Sequence, residues 1–351
     1  MEIKITRTNQ SKLSTTDFDN LVFGKSHSDH MFVMDYKDGQ WQTPEIIPYQ
    51  SFSYEPNLAV FHYGQSVFEG LKAFKSKYSG KINMFRPDQH ISRFNISAAR
   101  LCMPQVDEHL FLQALKQLIT IDKDWVSDKD GNSLYIRPFM IATDENLGVT
   151  PSKSYKFIIF TSPASVYYAD PVRLKVETEF VRSAEGGIGF AKSGGNYAAS
   201  LLPAKKALDE GYTQVLWTDS KEHKYIEEAG TMNIMFQIDD ILITPALSTS
   251  ILSGITRKSV IDLAKHWGYI VEERKVSVEE VLTAIDEERL EDAFGTGTAV
   301  TIHQIVTIGK EGKNYELPPV EGREFSNKVS QYLYKLKLGH EEDFMSWLET
   351  V

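Results

Sequence analysis

A chain of 351 residues, 42% apolar and 25% charged, has an ordinary globular composition and a length suited to about two domains. Its net charge of −10 excludes a general electrostatic attraction to nucleic acid or anionic lipid, but leaves room for a local basic pocket that takes a small anion. The single cysteine, Cys102, excludes an intrachain disulfide framework and a cysteine-based zinc site, and it fits a reducing compartment.

The first twenty residues lack the apolar core of a signal peptide. No run reaches the ~20 apolar residues of a membrane span. Sequons at Asn9 and Asn95 read as chance without a secretory signal. The expectation is a cytoplasmic enzyme or binding protein.

In chain order, residues 30–36 read as a strand ended by the turn Lys37-Asp38-Gly39. Residues 59–64 form an apolar run closed by glycine, and 67–74 read as one strand with 82–85 as its hairpin partner across Ser79-Gly80. Apolar residues at 91, 94, 98 and 101 have helical spacing, and Pro104 stops that helix. A second helix follows over 110–121, then strands at 133–138 and 155–160. Prolines bracket residues 163–173, the best linker, and 174–180 alternate apolar and charged like a half-buried strand. A helix over 201–210 stops at Gly211, followed by strands at 213–218, 232–238 and 241–244. Gly254-Ile255-Thr256 opens a helix ending near Gly268, and 278–285 form another. Residues 290–294 read as a short strand before the tight loop Gly295-Thr296-Gly297-Thr298, and 323–336 as a closing helix, with helix also expected in the tail. Strands joined by short turns, with helices in groups, indicate an α+β protein of two domains.

The residue of most chemical interest is Lys192, set between Gly186-Gly187-Ile188-Gly189 and Gly194-Gly195. A lysine in a cramped, partly apolar setting can lose its charge and attack an aldehyde. The same lysine also reads as a solvated loop residue, so its partners must decide. An aldehyde cofactor with a phosphate and a ring nitrogen needs a helix N-terminus with hydroxyls, an arginine and a carboxylate. Thr256 stands at a helix start, where Arg257 and Lys258 oppose the helix dipole unless an anion is near. Glu227-Glu228 precede a glycine and a strand, and Gly295–Thr298 could form an amide nest. Taken singly, these are also an ordinary N-cap, a charged turn and a plain turn. Phosphate-loop, dinucleotide, zinc-protease and serine-elbow patterns all fail to match, and His62 and His303 read as structural.

Together, Lys192-Ser193-Gly194-Gly195-Asn196-Tyr197, Glu228-Ala229-Gly230-Thr231-Met232-Asn233, Gly254-Ile255-Thr256-Arg257 and Gly295-Thr296-Gly297-Thr298-Ala299 resemble, in order, the motifs of the branched-chain aminotransferases. So do Phe68-Glu69-Gly70-Leu71-Lys72-Ala73, Tyr135-Ile136-Arg137-Pro138 and Ala99-Arg100-Leu101-Cys102-Met103-Pro104. The resemblance covers nearly the whole chain. It implies fold type IV of the pyridoxal-phosphate enzymes: a smaller N-terminal domain (1–163), a linker (164–173) and a larger C-terminal domain (174–351), with the cofactor between the domains.

The resemblance also implies roles. Lys192 carries the cofactor as a Schiff base and shuttles the substrate α-proton. Tyr197 bonds the phenolate oxygen, and Glu228, rather than Glu227, pairs with the ring nitrogen. Arg93, Ile255, Thr256 and Thr298 hold the phosphate, with Thr231 also at the cofactor. Thr298 and Ala299 offer backbone N–H groups to the substrate carboxylate. Phe23, Phe68, Tyr135 and Tyr167 line the side-chain pocket, and Arg137 answers glutamate's second carboxylate. Tyr63 comes from the partner subunit of a homodimer. The implied activity moves the amino group of L-leucine, L-isoleucine or L-valine to 2-oxoglutarate in a reversible ping-pong reaction. Animal relatives carry a C-x-x-C pair after the G-T-A turn. Here that stretch reads Ala299-Val300-Thr301-Ile302-His303, so no thiol regulation of that kind is expected. D-amino-acid aminotransferase and aminodeoxychorismate lyase share the lysine and the glutamate but are shorter and lack the full motif set. A non-catalytic carrier could dispense with the substrate-side residues, all of which are kept here.

Overall fold

The fold is built on strand alternation, which sends successive side chains to opposite faces. In the strand Tyr155–Ala164, Phe157 and Ile159 face one way and Ile158 and Phe160 the other. Phe157 sits at the centre of the first core, with ring centroids 5.3 Å from Phe94, 5.9 Å from Phe32 and 6.4 Å from Phe111. Phe94 belongs to the helix Pro87–Arg100 and Phe111 to the helix Glu108–Ile121. Both helices bury one apolar stripe (Ile91, Phe94 and Ala98; Leu110, Phe111, Ala114, Leu115 and Leu118) against the sheet. Asp107 caps the second helix, accepting the Leu110 N–H at 2.7 Å.

The computed structural model describes residues 1–165 and 170–351. The chain divides into two compact units, Met1–Tyr167 with Ala191–Gly194 and Lys335–Val351, and Tyr168–Phe190 with Gly195–Tyr334. The first is built on a ten-stranded, mainly antiparallel sheet. Its main order is Lys4–Ile5, Glu45–Pro48, His30–Lys37, Tyr155–Ala164, Ser133–Ala142, Leu71–Lys75, Ile82–Phe85 and Leu348–Thr350. Ser66–Phe68 pairs separately with Ser133–Ala142. Because Leu134, Ile136 and Met140 enter the helix-covered core, Tyr135, Arg137 and Phe139 belong to the opposite face.

The second unit has a nine-stranded mixed sheet. Val172–Val176 runs parallel to both its neighbours, Gln214–Thr218 and Ile302–Lys310. Leu290–Thr296, Asn233–Ile238 and Ile241–Pro245 continue the sheet as antiparallel neighbours, and Ile270–Arg274 adds in parallel at the edge. Leu174, Leu216, Phe236 and Ile305 form its core with Val281 and Leu282 of the helix Val278–Asp286. No described helix is long and apolar enough to cross a membrane.

Three expectations change. Gly295 and Thr296, read as part of a tight loop, instead end the strand Leu290–Thr296. The stretch 67–74 is two strands, Ser66–Phe68 and Leu71–Lys75, parted at Glu69-Gly70, where a fully buried carboxylate replaces ladder continuity. The tail is not helical at its end. Leu348–Thr350 pairs antiparallel with Ile82–Phe85, and Trp347 packs 5.6 Å from the Phe85 ring.

A pair of lysines, Lys337 buried and Lys72 half-buried, marks the first unit. Lys337 lies over the Phe74 and Phe85 rings at 5.7 and 5.0 Å, and its pKa is pushed from 10.5 down to about 7, first by burial and then by Lys72. Burial alone takes Lys72 down to about 8. Between about 7 and 10.5 the unfolded state therefore binds more protons at Lys337 than the folded state. Unfolding free energy should rise with pH across that window. Lys337→Met should flatten the rise in urea titrations and raise stability at pH 7. An unchanged slope would contradict the assignment.

Candidate active site

In the first unit, the segment Ala191–Gly194 is sewn to the edge of the strand Ser66–Phe68. The Phe68 N–H donates to the Lys192 carbonyl at 3.0 Å, and Val67 bridges to Ser193. From the other side, the Lys192 N–H donates to Ser97 Oγ at 2.9 Å, and that hydroxyl donates to the Arg93 carbonyl at 2.9 Å. Ser97 is wholly buried in the helix Pro87–Arg100, so the lysine's backbone is tied to a strand and a helix at once. The amine itself lies 4.8 Å from the centroid of the Phe68 ring.

The residue after Phe68 anchors a second charge. Glu69 is fully buried, and its carboxylate accepts Arg93 Nε at 2.7 Å and Nη2 at 2.9 Å, with His90 Nδ1 at 2.7 Å. His90 and Arg93 are three apart on one helix face, which is why both reach the same carboxylate. Burial pushes the Glu69 carboxyl up, but Arg93 and His90 outweigh it and hold it well below the usual carboxylate range. Burial pushes His90 down, against the pull of Glu69.

Arg137 is held by aromatic neighbours. Its Nη2 donates to Tyr135 Oη at 2.9 Å, and the guanidinium lies 4.8 Å from the Phe68 ring and 5.3 Å from the Tyr135 ring. Phe68 thus faces both Lys192 and Arg137. Phe23, half exposed, meets Tyr135 edge-on at 4.9 Å. Gly70 makes room for the tyrosine, because a Cβ there would stand 2.0 Å from Tyr135 Oη. Tyr63 is exposed, and its hydroxyl donates to the Leu147 carbonyl. Tyr167 lies outside the described residues.

In the second unit, Glu228 is buried in the strand Ile226–Ala229, where a charged turn is the simpler reading of the sequence. Its Oε1 accepts the Leu252 N–H at 2.7 Å and lies 3.0 Å from Arg182 Nη2. Strand alternation sends Glu227 the other way, to Ser250 Oγ, and burial pushes its carboxyl up. The two acids are therefore set apart by environment. Gly254 caps the helix Ile255–His266 in extended conformation, and Thr256 Oγ1 donates to the Gly297 carbonyl at 3.2 Å. That contact brings Ile255 and Thr256 beside the loop of Thr298 and Ala299, which begins after the strand Leu290–Thr296. Arg257 needs no ligand to answer its charge, because Nη2 donates to the Pro245 carbonyl and to Glu273, each at 2.9 Å. Tyr197 sits half-buried in the short helix Gly194–Ala199, and Thr231 is exposed in the turn after Ala229.

Sequence reasoning missed Ser97, His90, Arg182 and the part played by Glu69. Glu69 and His90 had a signal: an acid inside an apolar strand, and a histidine one helical turn from an arginine. Arg182 and Ser97 had none, since their partners lie at least 46 and 95 positions away in the chain or on backbone carbonyls.

With this geometry in place, the chain can be set beside known proteins. The family model described as Amino-transferase class IV matches residues 66–308. The chain is similar to "Branched-chain-amino-acid transaminase 1" of Bacillus subtilis (strain 168), at 47% identity over 336 residues covering 94% of each chain. Among solved structures, it resembles the branched-chain amino acid aminotransferase of Escherichia coli with a TM-score of 0.74 and 26% identity, covering 92% of this chain and 98% of that one. It shares its fold with the branched-chain amino acid aminotransferase from Thermobaculum terrenum in PLP-form, with a TM-score of 0.75 and 21% identity, covering 93% of this chain and 99% of that one.

Glu69→Ala would strand Arg93 in a buried site without its counter-charge. Urea denaturation should show a loss of about 3–5 kcal/mol. The native pair's contribution is complete above the ordinary carboxylate range and fades as pH falls below it, because the folded-state pKa is depressed. A loss under about 1 kcal/mol, the value of an exposed pair, would contradict this.

Proposed function

The chain belongs to the branched-chain aminotransferases, within the class IV aminotransferases, and from that premise we propose how its residues carry out the reaction. It is a pyridoxal-phosphate-dependent transferase that moves the amino group of L-leucine, L-isoleucine or L-valine reversibly to 2-oxoglutarate. The observation that carries the site reading is the double tie on Lys192, whose backbone is fixed to Phe68 and Ser97 while its amine rests over an apolar ring. A lysine held this way is presented as a nucleophile rather than left to solvent.

The residues fit the cofactor. Ser193 Oγ, beside Lys192, and Thr296 Oγ1, beside the Gly297–Ala299 loop, are buried without hydrogen-bond partners. Such orphaned donors suit a ligand rich in acceptor oxygens. When bound, pyridoxal phosphate supplies an aldehyde for Lys192 and a protonated ring that withdraws electrons from the substrate α-carbon.

The protein's own groups divide the remaining work. Lys192 Nζ, once released, takes up the substrate α-proton. Glu228 supports the ring nitrogen, and Tyr197 donates to the phenolate oxygen. Arg93, aimed by Glu69, meets the phosphate together with Ile255, Thr256 and Thr298, with Thr231 nearby. The amides of Thr298 and Ala299 receive the substrate carboxylate. Phe23, Phe68, Tyr135 and Tyr167 accept an aliphatic side chain, and Arg137 receives the second carboxylate of glutamate. Stacking on Phe68 and Tyr135 lets one arginine serve an apolar pocket, because a guanidinium is weakly hydrated and packs on aromatic faces.

A homodimer completes the proposal, with Tyr63 serving the partner's site. The support is an exposed apolar group around that residue, comprising Phe61, Tyr63, Leu147 and Val149. A reducing, cytoplasmic setting is proposed on the single exposed thiol, Cys102.

Mixing the yellow holoprotein with L-leucine, without 2-oxoglutarate, should convert its visible absorbance to that of the pyridoxamine form in one turnover. A spectrum that does not change would sink the aminotransferase reading. Lys192→Ala should abolish multiple turnover, and retained steady-state activity would remove the lysine from its role.

A further inference from the structure

The glycine-rich turn before Lys192 does more than leave space. Gly189 fits so closely that a Cβ would stand 2.4 Å from the Ser250 carbonyl oxygen and 2.6 Å from Ser183 Oγ. Neighbouring contacts hold the same approach: Phe190 N–H donates to the Thr249 carbonyl at 3.1 Å, and Gly186 N–H to Thr249 Oγ1 at 2.8 Å. The carbonyls of Gly189 and Ser250 are thereby brought to one point, and Arg182 Nη2 occupies it, donating to Gly189 at 3.0 Å and to Ser250. The same nitrogen lies 3.0 Å from Glu228 Oε1. The guanidinium is nine-tenths buried, and so is the carboxylate. The Leu252 N–H donates to the same oxygen at 2.7 Å, so Glu228 Oε1 is held by a backbone hydrogen bond and by the adjacent charge of Arg182.

We propose that Arg182 is a positioning residue: anchored by the carbonyls of Gly189 and Ser250, it holds Glu228 in the orientation that meets the ring nitrogen of pyridoxal phosphate. A guanidinium suits this task, because its charge stays on at any working pH and its planar fork cannot swing as an ammonium can. An apolar residue there would remove the buried positive charge that faces Glu228 Oε1. The arrangement also gives the Gly189 turn a function: a side chain at 189 would part the two carbonyls and release the arginine.

The proposal rests on the reading of Glu228 as the ring-nitrogen partner, and a double-mutant cycle separates the two ideas. Arg182→Met, Glu228→Gln and the double variant are compared by two measurements: the affinity of each apoprotein for pyridoxal 5'-phosphate, by absorbance titration, and the single-turnover rate with saturating L-leucine. Misplacement of a catalytic group by a fraction of an ångström to one ångström lowers rate by up to about a hundredfold. Arg182→Met should slow the leucine half-reaction on that scale with little change in the leucine concentration for half-saturation. The double variant should lose at least about tenfold less than the product of the single losses, since the arginine acts through the glutamate. Losses that multiply in both measurements would make Arg182 a merely structural residue and overturn the proposal, as would a wild-type rate in Arg182→Met. A wild-type rate and affinity in Glu228→Gln would instead overturn the reading of Glu228. Should Arg182→Met fail to fold, Arg182→Lys replaces it in the same cycle. The lysine keeps the charge but not the fork, and the same sub-multiplicative loss is expected, with a multiplicative loss counting against the proposal.

Discussion

The backbone of Lys192 is hydrogen-bonded from two sides, by the Phe68 amide and by the Ser97 hydroxyl, and the proposed site residues of the first unit are arranged around that clamp. The strand that receives the lysine ends in Phe68, and Glu69 follows it. Phe68 sends its ring to the amine and to Arg137, while Glu69 sends its carboxylate to Arg93 and His90. Two neighbouring residues therefore fix the positions of three basic side chains besides His90. The break between Ser66–Phe68 and Leu71–Lys75 makes this possible, since an unbroken ladder would alternate side chains without leaving space for a buried ion cluster. Gly70 yields that space to Tyr135.

The second unit works differently. Its buried carboxylate Glu228 is set by a backbone amide and an arginine, and the adjacent acid, Glu227, is turned away to a serine. The helix start at Ile255 and the loop after Thr296 meet through Thr256 and Gly297, so hydroxyls and amides are grouped there. Arg257 looks available for an anion in the sequence, but it is engaged by Glu273 and a carbonyl. The proposed phosphate role of Arg93 rests on the family resemblance, since Arg93 too is engaged by a carboxylate, that of Glu69.

Much of this was legible before any coordinates. The helices Pro87–Arg100 and Glu108–Ile121 follow from apolar spacing, and the strand Tyr155–Ala164 from a run of β-branched and aromatic residues. The tail strand Leu348–Thr350 was not legible, because its stability comes from pairing with residues about 265 positions earlier and from Trp347 on Phe85. Nor was the strand Ile226–Ala229 legible, since two consecutive glutamates look solvated until burial, a serine and an arginine are supplied by distant segments.

By itself, the sequence determined the family and the order of most helices and strands, because these are carried by local spacing and by residue types at short range. Only the tertiary structure decided which atoms restrain the candidate site residues: that Glu69 grips Arg93, that Ser97 and Phe68 clamp the Lys192 backbone, and that Arg182, anchored on two carbonyls, reaches Glu228. The physical reason is that these restraints are hydrogen bonds and ion pairs between groups distant in the chain. Their strength depends on burial and on angles that folding sets, and neither leaves a periodic trace in the order of the amino acids.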